Sequence, residues 1–161
     1  MFAASCIDDG RGVSTFRVLV VEDYEPFRQF VRSTLGTQAS LQIVGEASDG
    51  LEALQKTAEL HPHLLVLDIG LPTLNGIEVA RRIREFSLET KILFVSQETC
   101  GDVVQAALHT GALGYVIKAR AGRDLLGAVD AICQGRQFVS SEVAGLASPE
   151  IDSSGHWTTQ P

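Results

Sequence analysis

Five times in succession, a short and mostly apolar run gives way to a segment whose apolar residues recur at helical spacing. This alternation constrains the fold more than any other feature of the chain. The runs are Phe16–Val21, Leu41–Val44, Leu64–Asp68, Ile92–Val95 and Tyr115–Ile117. A strand apolar on both sides needs cover on both sides, which a parallel sheet between two helical layers provides. The intervening segments supply the helices. Phe27, Phe30, Val31 and Leu35 mark one face of a helix that Pro26 opens. Asp49 and Glu52 have capping-box spacing ahead of Leu51, Leu54 and Ala58, and His61-Pro62 ends that helix. A third helix over 77–85 turns Ile77, Ala80 and Ile83 inward and Arg81, Arg82, Arg84 and Glu85 mostly outward. Segments 102–110 and 124–133 complete the set. Strands and helices in strict alternation predict right-handed crossovers around one parallel sheet.

The flanks read differently. Residues 1–15 are small, polar and glycine-bearing, and are expected to be a flexible leader to a domain over 16–135. Residues 136–161 are rich in Ser, Gly and Thr and read as a linker remnant and disordered tail. A formal net charge of -7 argues against direct contact with nucleic acid phosphates. Cys6, Cys100 and Cys133 have neither disulfide-framework nor zinc spacing. No signal-peptide pattern and no apolar run of the roughly 20 residues needed to span a bilayer is evident, so a cytoplasmic location without membrane contact is expected.

Polar residues cluster at the carboxyl ends of the apolar runs: Glu22-Asp23, Asp68, Ser96 and Lys118. In an open α/β sheet, ligands bind outside those ends, near the point where the winding reverses. Three carboxylates, a hydroxyl and an ammonium therefore converge on one rim. Carboxylates this close repel unless a cation sits among them, and a hard ion such as Mg²⁺ prefers oxygen ligands. Such an ion would gather Asp23 and Asp68 and neutralise an incoming phosphoryl group. Lys118 can balance further negative charge, and the Ser96 hydroxyl can donate to a phosphoryl oxygen. Phosphoryl transfer to a carboxylate, giving an aspartyl phosphate, fits this set.

The four segments VVEDYEPFR, LLVLDIGLPTLNGIEVARRIR, KILFVSQE and GALGYVIKARAG, in this order, resemble the receiver domains of two-component response regulators over about residues 16–134. The resemblance implies a doubly wound five-stranded parallel sheet of the flavodoxin-like (CheY-like) type, with strand order 2-1-3-4-5. It implies that Asp68 is phosphorylated by a sensor histidine kinase or histidine phosphotransfer protein. Asp23 would bind Mg²⁺ directly, Glu22 through water, and the Gly70 backbone carbonyl would complete the protein ligands. Ser96 and Lys118 would contact the phosphoryl group, with Tyr115 as the aromatic switch residue. Pro72 and Gly76 would shape the loop after the acceptor. Gly70 lacks the side chain that many receivers carry two residues after the acceptor, which leaves the lifetime of the phosphorylated form open. Ala119-Arg120-Ala121-Gly122 is an unusual stretch after Lys118.

Residues around GAVDAICQGRQFVSSEVAGLAS resemble the end of a receiver of the LuxR/NarL type, where a helix-turn-helix domain follows. The residues after Gly145 contain no Lys or Arg, so DNA-binding output is not expected from them. The expected role is a phosphorylation switch rather than an enzyme, signalling to a downstream protein target, or through a homodimer, by a face formed from the fourth helix, fifth strand and fifth helix. One alternative is a Mg²⁺-dependent phosphatase of the haloacid-dehalogenase type. It wants an acid two residues after the nucleophile, where this chain has Gly70. Another is a nucleotide or flavin carrier, which would want a glycine-rich loop where Glu22-Asp23 stands. A receiver fragment of a LuxR/NarL-type transcription regulator is a third.

Overall fold

A computed structural model of the chain describes residues 15–147, 150–151 and 157–158. The expected leader, apart from Thr15, lies outside them. The central sheet contains β1 (Phe16–Val21), β2 (Leu41–Ala47), β3 (Leu64–Leu67), β4 (Lys91–Ser96), β5 (Gly114–Ile117) and β6 (Phe138–Val139). Their order is β2-β1-β3-β4-β5-β6, with every neighbouring pair parallel. The first five strands have the flavodoxin-like, CheY-like order that the resemblance implies. A separate antiparallel pair joins β7 (Glu150–Ile151) to β8 (Trp157–Thr158).

Helices cover both faces, as the doubly apolar strands require. One layer packs α1 (Glu25–Leu35) and α5 (Ala121–Cys133) over Val18, Val20, Leu64, Val66, Leu93, Val95 and Val116. The other packs α2 (Gly50–Leu60), α3 (Gly76–Phe86) and α4 (Gly101–His109) over Leu19, Val21, Leu65, Leu67, Ile92, Phe94 and Tyr115. Alternate residues of a single strand thus feed opposite cores.

Local chemistry sets the helix ends. Asp49 caps α2 by accepting the Glu52 N–H at 2.8 Å, and Glu52 reaches back to the Ser48 N–H at 3.1 Å, one residue outside the usual capping box. His61 ends α2 in the left-handed region, with φ 46°. Asn75 caps α3 by accepting the Glu78 N–H at 3.0 Å. The unusual stretch after Lys118 is a single 3-10 turn (Lys118–Arg120) that runs directly into α5.

On α2 the apolar face is rotated from the expected one: Leu51 and Ala58 are exposed and Ala53 and Thr57 are buried instead, and Phe30 of α1 is exposed as well. Three further departures concern other parts of the chain. Arg84 is half-buried rather than outward: it donates to the carbonyls of Leu88, Thr90, Thr110 and Gly111, tying α3 to the loop before β5. His63, expected at the surface from its place beside a helix end, is half-buried, with Nδ1 accepting the Arg17 N–H at 2.9 Å. The third departure is larger. Residues 138–147, read as linker and tail, form β6 and α6 (Ser141–Ala147). β6 pairs with β5, and Val143 of α6 is fully buried in the core that contains Val104 and Tyr115. A two-residue strand has no periodicity to read. Its pairing is set by the backbone groups that β5 leaves open, filled by Phe138 N–H to Leu113 O at 3.0 Å and Ser140 N–H to Tyr115 O at 2.9 Å.

Candidate functional site

The winding reverses between β1 and β3, and there the strand ends open into a cleft of about 570 Å³. Glu22, Asp23, Asp68, Gly70, Ser96 and Lys118 all line it. Glu22 follows β1 with its N–H on Ala47 O, and Asp68 follows β3 with its N–H on Val21 O. Those ladder bonds fix both backbones. Asp68 and Glu22 are only 6% and 3% exposed, although Asp23 beside them is open to solvent. Oxygen atoms of Glu22, Asp23 and Asp68 lie within 4.8 Å of one another.

Lys118 is the partner of both buried acids. Its Nζ donates to Glu22 Oε1 at 2.8 Å and to Asp68 Oδ2 at 3.3 Å, and sits 4.9 Å from the centre of the Phe27 ring. Burial pushes the Glu22 carboxyl up to about 7; the Lys118 hydrogen bond only partly opposes this, and the Asp68 charge adds to it. Burial pulls the Lys118 ammonium down, but the hydrogen bond to Glu22 and the charge of Asp68 outweigh it, so the net direction is up. One ammonium thus serves two buried acids, and a divalent cation would further offset the repulsion between them.

Ser96 is buried at the end of β4, with its Oγ accepting the Glu98 N–H at 3.1 Å. Tyr115 is fully buried, and its hydroxyl donates to Glu98 O at 2.7 Å. Burial pushes the Tyr115 phenol up to about 12, so it stays a donor. Gly70 is exposed, and a Cβ there would meet nothing within 4 Å. Gly76 is different: a Cβ would lie 2.1 Å from the Asp68 carbonyl oxygen, so the start of α3 packs directly beneath the acidic residue.

Every site residue expected from the sequence therefore lies at this cleft or, for Tyr115, one hydrogen bond behind it. Sequence reasoning missed Arg28, whose Nη1 donates to Glu22 O at 2.8 Å while its Nε pairs with Glu46 at 3.3 Å. Nothing in the local sequence pattern reveals this long-range clamp.

Residues 18–130 match the response regulator receiver domain family. The chain belongs to that family. This receiver is 31% identical over 140 residues to the transcriptional regulatory protein LiaR of Bacillus subtilis (strain 168), covering 86% of the present chain and 66%, about two thirds, of LiaR. Its fold is similar to a two-component response regulator of the LuxR family from Aurantimonas sp. SI85-9A1, with TM-score 0.79, 31% identity, and 83% and 96% of the two chains covered. It is also similar to the signal receiver domain of NarL from Mycobacterium tuberculosis, with TM-score 0.72, 33% identity, and 76% and 98% covered. The receiver's relatives are response regulators rather than typical enzymes. Among its described residues, no helix is long and apolar enough to cross a membrane.

Proposed function

We propose that this receiver is a phosphoacceptor of a two-component phosphorelay, with Asp68 as the carboxylate modified. The observation that supports this most is the pairing of Lys118 with both Glu22 and Asp68 at the floor of an open cleft. The donor would be a phosphohistidine on a sensor histidine kinase or histidine phosphotransfer protein. An Asp68 oxygen attacks phosphorus, the phosphorus–nitrogen bond breaks, and the electron pair leaves with the imidazole. Lys118 and the Ser96 hydroxyl then face the new phosphoryl oxygens, Ser96 releasing the Glu98 N–H to do so.

The donor set fits Mg²⁺: all oxygen, clustered, and open to water on the Asp23 side. Asp23, Asp68 and the Gly70 carbonyl would hold the ion, with Glu22 acting through water. Bound there, Mg²⁺ supplies neutralisation of the charge that the phosphoryl group brings. The receiver is then a switch in the cytoplasm rather than an enzyme, and its output is contact with a downstream protein.

Incubation with a small acyl phosphate and Mg²⁺, followed by intact mass measurement, tests this. One phosphoryl adduct is expected, absent from Asp68→Asn and strongly reduced by chelation. No adduct, or one that survives Asp68→Ala, overturns the reading.

A further inference from the structure

The face expected to carry the output, α4–β5–α5, is not free. β6 pairs along β5, and α6 lies against α4. We propose that the flank of α4 beside β5 is a helix-binding surface, held in the resting molecule by α6 and vacated on phosphorylation, so that an amphipathic helix of the downstream target takes α6's place. The proposal rests on the phosphoacceptor reading above.

The seat of α6 defines what the surface accepts. Val143 is fully buried in the same core cluster as Val104, Ala107 and Tyr115. Leu146, three residues on, lies against Gly101 at the start of α4, yet is 40% exposed. Gln105 on α4 donates to Leu146 O at 3.1 Å, and Glu142 pairs with Arg120. A helix with apolar residues three apart and an acid at its start reproduces all of these contacts. At seven residues, α6 is too short to hold itself helical, so its structure depends on this seat. Its hold is one fully buried side chain, one partly exposed leucine, one hydrogen bond and one ion pair, and a longer helix of the same pattern can outcompete it.

Two routes connect the seat to Asp68. The first begins at Ser96, whose Oγ holds the Glu98 N–H. Recruitment of that hydroxyl to a phosphoryl oxygen frees Glu98, whose carbonyl accepts from Tyr115, and so disturbs both the loop entering α4 and the tyrosine of the core that Val143 joins. That loop leads into Gly101, against which Leu146 rests. The second begins at Lys118, two residues before the Arg120 that pairs with Glu142. Packed surfaces of this kind shift between discrete arrangements rather than yielding gradually.

Hydrogen exchange on the full chain, with and without beryllofluoride and Mg²⁺, tests the proposal, with ¹⁹F NMR reporting occupancy of the Asp68 site. Once the ¹⁹F signal of bound beryllofluoride is present, amides of 143–147 should lose protection about ten-fold or more, while β1 and β3 keep theirs. A labelled peptide spanning residues 140–147 should then bind, whereas the resting protein should bind it at least ten-fold more weakly. Glu142→Arg, which sets like charge against Arg120, should raise exchange in α6 before any beryllofluoride is added. An occupied site with α6 protection unchanged or increased overturns the proposal, as does equal peptide binding in both states. Absence of any bound ¹⁹F signal removes the phosphoacceptor reading itself, and the proposal with it.

Discussion

Lys118 illustrates how much rests on single side chains in this receiver. It is the one cation within hydrogen-bonding reach of two buried carboxylates among the described residues, and the Glu22 backbone is held from outside by Arg28. Arg28→Ala should free the Glu22 carbonyl and loosen the acidic pair. Isothermal titration should show Mg²⁺ affinity reduced about ten-fold, equivalent to about 1.4 kcal/mol; unchanged affinity would reduce Arg28 to a surface ion pair with Glu46. His63 makes a different point. Because Nδ1 accepts from Arg17, Nε2 carries the proton, and it is buried without a hydrogen-bond partner among the described residues. Burial, followed by the charges of Arg17 and Lys91, holds the imidazole below its ordinary value. A depressed folded-state value means that His63 contributes stability above about pH 6.5, lost as the pH falls below that point and the unfolded chain gains a proton first. In denaturant titrations at pH 7.5 and 5.5, His63→Asn, which keeps an acceptor for Arg17, should lose less stability than wild type.

At the scale of elements, the β3–α3 loop carries most of the constraint. Gly76 has no room for a methyl group beneath the Asp68 carbonyl. Gly76→Ala should destabilise the fold by about 1–3 kcal/mol through forced backbone movement, and should slow adduct formation at Asp68. Loss of stability with an unchanged modification rate would show that the loop shift does not reach the acceptor. Thr73 in the same loop sits at φ 65°, a left-handed conformation poorly suited to a β-branched residue. Relief of that strain by Thr73→Gly should stabilise by about 1 kcal/mol, less the extra freedom of glycine in the unfolded chain. A lower denaturation midpoint would contradict it. α2 and α3, by contrast, are conventional: each begins at an Asx cap whose residue type announces it.

For the whole molecule, the acidic rim sets a conflict that folding alone does not resolve. Two carboxylates are withdrawn from water by a sheet that stays closely packed around them. Mg²⁺ should therefore stabilise the folded chain by mass action, by about 2.7 kcal/mol at a hundred-fold excess over the dissociation constant. A thermal melt should show the midpoint rising with Mg²⁺ for wild type and rising far less for Asp23→Asn. An equal rise in both would place the ion elsewhere on a chain of net charge -7.

The sequence by itself determined the five-fold strand–helix alternation, the two-sided burial of the strands and the arrival of Glu22, Asp23, Asp68, Ser96 and Lys118 at one rim. Each of these follows from local pattern: a continuous apolar run, a helical period, a polar residue where the run stops. Only the tertiary structure decided that Lys118 bridges Glu22 and Asp68, that Arg28 reaches back to Glu22, and that Arg84 and His63 turn inward. It also decided that 138–147 closes the β5 edge and lays α6 on α4. Those facts depend on contacts between residues far apart in the chain. A two-residue strand and a seven-residue helix exist only because β5 and α4 offer them unfilled hydrogen bonds and an apolar seat.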